Sequence, residues 1–349
     1  MKRLLILTII QLGFLINTFP QNDIPAARNS ITMVFYNVEN LFDTVDDTLK
    51  NDDEFLPDSP KKWDDVKYQK KLADLADILS SLNDRELPSV IGLAEIENRS
   101  VLEDLINERK LRRAKYRVVH YESNDERGID VALLYDPSEI ELLDSKAIPV
   151  EFKQDEQDFT RDILYARVRA DDGKTYHIFV NHWPSRSPNQ EDSEIKRITA
   201  ALTLRKEVDF IFNNDKSARI IIMGDFNDEP TNRSLLQILN AANKRKNIYY
   251  RDLFNLMYDS HNIPGEGSIT WNGTWQMFDQ FIVSYPLFVK GTDYYLTYGG
   301  GRVFRDENII KSDPADGSEN PSRTYSGNEY SGGASDHLPV YIILQKDRD

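Results

Sequence analysis

Short apolar runs that end abruptly on polar residues recur along this chain. Residues 31–36 lead into Asn37 and Glu39, residues 89–94 into Glu95, residues 176–180 into Asn181 and His182, and residues 218–223 into Gly224, Asp225 and Asn227. Runs rich in β-branched residues fit strands buried on both faces, and the glycine after the last of them allows the chain to bend there. Further strands are expected at residues 128–135, 165–169 and 279–284. Helical spacing sets Leu72, Leu75, Ala76, Leu79 and Leu82 on one face of residues 66–82. A second helix is expected over residues 193–212, with Ile195, Ile198, Leu202 and Val208 or Ile211 turned inward, and a third over residues 232–242. Alternating elements of this kind predict an α/β fold whose strand ends gather acids, amides and a histidine at one rim.

A single Gly-Asp pair after a strand is more often an Asx turn than a catalytic acid. Here, however, Asn, Glu, His, Gly-Asp-x-Asn and Ser-Asp-His follow one another at comparable junctions, and a purely structural account would require five coincidences. Carboxylate and amide oxygens in a chain without cysteine favour a hard cation over a closed zinc site, with Glu95 the first candidate ligand.

The blocks Tyr36-Asn37-Val38-Glu39-Asn40-Leu41, Ala94-Glu95, Asn181-His182-Trp183-Pro184-Ser185-Arg186, Gly224-Asp225-Phe226-Asn227 and Ser335-Asp336-His337-Leu338-Pro339-Val340 resemble the signature of the endonuclease/exonuclease/phosphatase superfamily, the DNase I-like fold. The resemblance runs from about residue 31 to 345 and implies one domain, drawn at residues 28–347. It also implies a four-layer α/β/β/α sandwich, with two mixed sheets face to face and helices outside. Its blocks are shared by DNA and RNA nucleases, abasic-site endonucleases, sphingomyelinases and inositol polyphosphate phosphatases.

By the same resemblance, Asn37, Glu39, Glu95 and Asp336 form the shell of Mg²⁺ or Mn²⁺, with Ca²⁺ also possible. His337 would be the base, held by Asp279, and His182 would protonate the leaving oxygen or bond the scissile phosphate. Asp225 would orient the nucleophile, and Asn227 would donate to the phosphate with Asn181 and Arg186. Gln280-Phe281 after Asp279 departs from the commoner Asp-Tyr-Ile pattern. His120, His177 and His261 carry no motif and read as structural, Asp130 either lines the cleft or pairs with an arginine, and Trp271 and Trp275 read as a packed loop before a stacking platform.

Met1-Lys2-Arg3 followed by an apolar run reads as a signal peptide over residues 1–20, implying a periplasmic or extracellular protein without a stable membrane anchor. The net charge of −15 at pH 7 repels polyanions, so broad basic-face binding of long nucleic acid is excluded. A local cationic groove that includes Arg186 and Arg197 remains open. The leading expectation is an exported metal-dependent phosphodiesterase, an endonuclease with nucleic acid as its substrate, acting as a monomer without a protein partner. The alternatives are a sphingomyelinase-like phospholipase, a sugar-phosphate phosphoesterase, and a non-catalytic phosphate-binding protein.

Overall fold

The computed structural model describes residues 30–82, 86–152, 158–242, 246–290, 293–296, 300–312 and 317–346. The expected signal peptide, and residues 28, 29 and 347 of the expected domain, lie outside them. In chain order the strands begin β1 (Ser30–Leu41), β2 (Val90–Ile96), β3 (Arg117–His120), β4 (Asp130–Tyr135), β5 (Ile140–Ile148), β6 (Ile163–Ala170), β7 (Thr175–His182), β8 (Arg219–Asp225) and β9 (Leu253–Asn255). They continue β10 (Ile269–Trp271), β11 (Thr274–Gln276), β12 (Asp279–Ser284), β13 (Arg302–Val303), β14 (Ile310–Ser312), β15 (Glu319–Pro321), β16 (Tyr325–Ser326), β17 (Glu329–Tyr330) and β18 (Val340–Gln345). The helices are α1 (Asp65–Ser81), α2 (Arg99–Asn107) and α3 (Gln190–Asn214).

Two six-stranded mixed sheets dominate, ordered β13-β18-β1-β2-β4-β3 and β5-β6-β7-β8-β12-β9. Alternation along the strands decides the layering. Met33 and Phe35 of β1, Val131 and Leu133 of β4, Ile178 and Val180 of β7, and Ile221 and Met223 of β8 meet between the sheets. The intervening residues Val34 and Tyr36, with Ile91 and Leu93, turn outward onto α1 and α2, while Phe179, Ile220 and Ile222 turn onto α3. The result is the expected α/β/β/α sandwich. Close approach between the sheets accounts for Gly92, where a Cβ would lie 2.5 Å from Met223 Sδ. No described helix is long and apolar enough to cross a membrane.

Three expectations require correction. Residues 232–242 form only a π-helical turn, Ser234–Ile238, with Ala241 bridged to Leu253. The inner face of α3 keeps the expected Val208 and Ile211 but otherwise consists of Arg197, Ala200, Ala201, Leu204 and Phe212, whereas Ile195 and Leu202 are exposed. Small Ala200 and Ala201 let this helix sit close on the sheet, and bulk alone had favoured the other side. The Trp271–Trp275 segment is a hairpin of β10 and β11 whose Asn272-Gly273 tip has φ of 50° and 74°, as a two-residue type I′ turn requires. Trp275 stacks under Arg305 at 4.3 Å, while Trp271 is exposed.

Candidate active site

Strand pairing brings most of the expected residues together. The parallel β7–β8 register sets His182 beside Asp225, and the antiparallel β8–β12 register sets Asp279 on the other side of Asp225. From the facing sheet, β1 and β2 pair Asn37 with Ala94, after which an irregularity turns out Glu95. Asp336 and His337 arrive on the segment before β18. Glu39, Asn40, Glu95 and Asn227 all have φ between 50° and 65°. Left-handed conformations cost non-glycine residues on the order of 1–2 kcal/mol each, and such strain gathers at functional sites.

Asp225 is the hub. Its Oδ2 accepts a hydrogen bond from Asn37 Nδ2 at 3.1 Å and lies 3.6 Å from His182 Nε2 and 3.7 Å from His337 Nε2. Its Oδ1 accepts from the backbone N–H of Asn227 at 2.9 Å. Burial, opposed by His337 and aided by Asp279, pushes its pKa up to about 6. His337 Nδ1 pairs with Asp279 Oδ2 at 2.7 Å, so the Gln280-Phe281 departure leaves Asp279 in the position expected of it. Gln280 instead bonds Asp228, Met277 and Asn255 inside the fold.

The two imidazoles differ in charge. Burial opposes the imidazolium at His337, but Asp279, Asp225 and Asp336 outweigh it and hold the pKa well above the ordinary value. At His182, burial and then Arg161 and Arg127 push the pKa well below it, so the ring is neutral. Of the two roles expected of His182, a neutral ring suits a phosphate hydrogen bond and not leaving-group protonation.

Glu95 is oriented by Asn37 Nδ2 on Oε1 at 3.2 Å and by the Asn40 N–H on Oε2 at 2.9 Å. It also raises the pKa of Asp336, after burial and against the opposing pull of His337. Glu95 and Asp336 are hard oxygen donors of the kind that suits a divalent cation, whereas Asn37, expected in the same shell, turns its amide nitrogen to Glu95 and accepts the Glu39 N–H on Oδ1 at 3.0 Å. Glu39, also expected as a ligand, is held by backbone donors. Its Oε2 and Oε1 accept the N–H groups of Thr324 and Tyr325 at 2.7 and 3.3 Å, and burial together with Asp336 pushes its pKa up to about 7.

The expected phosphate contacts need similar correction. Asn181 is fully buried: it donates to Met223 O at 3.2 Å and accepts from Trp183 Nε1 at 3.2 Å. A Cβ on Gly224 would lie 2.4 Å from Asn181 O, which explains the glycine. Arg186 folds back on Asn227 O at 2.9 Å and on Asn232, and it stacks on Phe278. Arg197 is buried against Asp228 at 2.9 Å, so neither arginine supplies the expected cationic groove. Asn227 Nδ2 donates to Trp183 O at 3.0 Å, leaving its second amide hydrogen for a ligand.

Two cations that sequence reasoning missed stand here. Arg161 is buried, donates to Trp183 O at 2.8 Å and pairs with Asp125 at 3.1 Å. Lys71 of α1 is 2% exposed, and its Nζ donates to Glu39 O at 2.7 Å, Thr324 Oγ1 at 2.6 Å and Ala334 O at 3.0 Å. One sign of it was visible in advance: a lysine adjoining Leu72 and Leu75 on an otherwise apolar helix face.

Searches of known structures find the same architecture at low sequence identity. An endonuclease/exonuclease/phosphatase family protein from Bacteroides thetaiotaomicron is 14% identical, with 92% of this chain and 99% of that one covered and a TM-score of 0.56. The human Nocturnin catalytic domain is 16% identical, with 91% and 95% covered and a TM-score of 0.53. D. rerio TDP2 complexed with single strand DNA product is 15% identical, with 91% and 100% covered and a TM-score of 0.54. No curated protein matches. Fold and site together define a phosphoester hydrolase scaffold of the DNase I-like class. The profile of the Endonuclease/Exonuclease/phosphatase family matches residues 32–346, and the chain belongs to that family, whose enzymes depend on divalent metals.

Proposed function

We propose that the protein is a divalent-cation-dependent phosphodiesterase that hydrolyses phosphodiester bonds of nucleic acid by attack of water. The observation that carries this reading is the convergence on Asp225. The Nε2 atoms of two imidazoles of opposite charge preference lie within 3.7 Å of one carboxylate oxygen, with Glu95 adjoining at 3.8 Å from His182. Glu95 and Asp336 would hold the cation, with Asn37 orienting Glu95. Mg²⁺ or Mn²⁺ suits these oxygens, and when bound it neutralises charge on the phosphoryl and leaving oxygens.

The chain's own residues do the rest. A cation on Glu95 and Asp336 would offset part of the negative charge that keeps His337 protonated; with the ring neutral, Nε2 takes a proton from water as the water oxygen attacks phosphorus, and Asp279 holds the resulting imidazolium. Neutral His182 and the free amide hydrogen of Asn227 donate to the phosphate. The leaving oxygen takes its proton from solvent. A groove of about 1300 Å³ walled by Arg161, Pro184, Phe152 and Phe159 includes none of the reacting groups and so does not bear on substrate length.

D. rerio TDP2 with its single strand DNA product supports a nucleic acid substrate, and a mannosyl-6-phosphatase of similar fold (TM-score 0.53, 14% identity) supports the sugar-phosphate alternative. A lipid diester is the second reading, favoured by Trp271, exposed at a hairpin tip whose Ile269 bridges His337. The basic start and apolar run support export, which N-terminal sequencing of protein from its host would test; an intact Met1 would count against it.

Purified protein would be offered plasmid DNA, RNA, sphingomyelin, inositol phosphates, mannose 6-phosphate and a chromogenic diester, each with Mg²⁺, Mn²⁺ and Ca²⁺. Metal-dependent cleavage of DNA or RNA and of the diester is expected. Turnover of monoesters alone would overturn the diesterase reading, and binding without turnover would point to the non-catalytic protein.

A further inference from the structure

A second group of potential ligands shares no residue with the catalytic cluster. One ligand atom each from His120, Glu122 and Asp130 lie within 4.8 Å of one another. The register explains why. Antiparallel pairing sets His120 opposite Ala132, so two residues further on Glu122 falls opposite Asp130, and all three side chains share one face of the β3–β4 ribbon. This is the spacing by which a sheet presents convergent ligands: residues i and i+2 on one strand and a third on its neighbour.

Two buried polar atoms of this group lack hydrogen-bond partners. The His120 and Asp130 side chains are each only 3% exposed, yet His120 Nε2 and Asp130 Oδ2 make no hydrogen bond. They face each other at 3.5 Å, too far for a good hydrogen bond. That separation does match the edge of a tetrahedral site, since two ligands about 2.1 Å from one ion lie about 3.4 Å apart. Asp130 Oδ1 is fixed separately by the Ser123 N–H at 2.9 Å, which aims Oδ2 at the imidazole. Glu122 approaches from the solvent side, 3.8 Å from His120 Nδ1. Asp162 adds a further carboxylate beside Asp130 in the same small pocket. His120 Nε2 and Asp130 Oδ2 are thus two buried ligand atoms without partners, while the neighbouring Lys50 Nζ is taken by Ser123 O at 2.8 Å and Asp125 O at 3.0 Å.

We infer that His120, Glu122 and Asp130 form a second divalent-cation site that takes a borderline transition metal, Zn²⁺ being the probe of choice. One imidazole with two carboxylates suits such an ion better than Mg²⁺ or Ca²⁺, which take all-oxygen shells. The ion would staple the loop after β3 to the start of β4. That loop carries Asp125, which holds Arg161 beside the strand end bearing His182. The site is therefore structural, and it steadies Arg161 against Trp183 O, next to the strand end bearing His182.

The test titrates Zn²⁺ alone into metal-stripped protein by calorimetry, using Glu95→Gln/His337→Ala as the parent so that the proposed catalytic site and the Asp225, Asp279 and His337 group each lose a ligand. That parent should bind one equivalent. Adding His120→Ala should abolish the event, and adding Glu122→Gln should weaken it at least tenfold. Glu122 is 58% exposed, so its substitution leaves folding intact and keeps the test decisive even if the His120 variant is unstable. Unchanged stoichiometry and affinity in the Glu122 variant, or no Zn²⁺ bound by the parent, would overturn the inference. Neither result bears on the phosphodiesterase reading, because Glu95 is absent throughout.

Discussion

Replacing Lys71 with methionine separates folding from catalysis at this site. The substitution removes a buried ammonium that bonds Glu39 O, Thr324 Oγ1 and Ala334 O. Two backbone carbonyls lose a charged donor, at roughly 1–3 kcal/mol each. Thr324 Oγ1 still reaches Ala334 O at 3.3 Å, so the loss falls at the lower end. An opposing contribution has similar size. Burial outweighs Glu39, Asp336 and Glu95 and pushes the Lys71 pKa from 10.5 down to about 8, so holding the ammonium costs about 3 kcal/mol relative to the neutral amine. Methionine escapes that cost, and the net change in stability should stay within about 2 kcal/mol.

Nothing offsets the effect on the reacting groups. Lys71 pins Ala334, and Ser335 Oγ then bonds Asn37 O at 2.7 Å and accepts the His337 N–H at 3.0 Å. A drift of about 1 Å in that segment costs up to about 10² in rate, so kcat should fall roughly 10- to 100-fold with KM little changed. Because Lys71 lowers the pKa values of Glu39 and Asp336, the acidic limb of the pH–rate profile should also move to higher pH. Urea unfolding and steady-state kinetics on a chromogenic diester measure all three quantities. A folded variant with wild-type kcat and an unmoved acidic limb would refute the reasoning.

Other perturbations follow from the same geometry. Glu95→Gln should weaken Mn²⁺ binding at least tenfold by calorimetry while leaving the melting temperature unchanged or higher, because it relieves repulsion with Asp336; equal affinity would remove Glu95 as a ligand. His337→Ala should lose about 10²–10⁴ in kcat, and His182→Ala about 10²–10³ equally on DNA and on a nitrophenyl diester, since a neutral donor does not protonate the leaving oxygen. Selective rescue of His182→Ala on the activated ester would restore it as the acid. His177 is pushed from 6.5 down to about 4 by burial and by Arg167. The unfolded chain therefore takes up that proton first, and stability that is complete above pH 6.5 is lost as pH falls towards 4, by up to about 3 kcal/mol. His177→Gln should flatten the stability profile in that window, and an unaltered slope would exclude the assignment.

By itself the sequence determined the strand-ending pattern, an α/β class and several of the groups around Asp225, because these are local facts, while the two-sheet arrangement was implied by the family resemblance. A β-branched run followed by a polar tip declares a buried strand whose end reaches a rim, whatever lies beside it. Asn37, Glu95, His182 and Asp225 were legible on that basis, whereas Asp279 and the pairing with His337 were implied only by the resemblance of the sequence blocks to the family. Tertiary structure decided what those tips touch. Glu39 clamps Thr324 and Tyr325, Asn181 is consumed by Met223 and Trp183, and Arg197 is spent on Asp228, since a polar side chain bonds whichever partner the packing brings near. The inner face of α3 was hidden for a related reason: two stripes of that helix carry apolar residues, and only closeness to the sheet selects the alanine-lined one. Lys71 marks the limit most clearly, because its partners are up to 263 residues away in sequence, and only the folded chain brings a helix lysine to the carbonyl of Ala334.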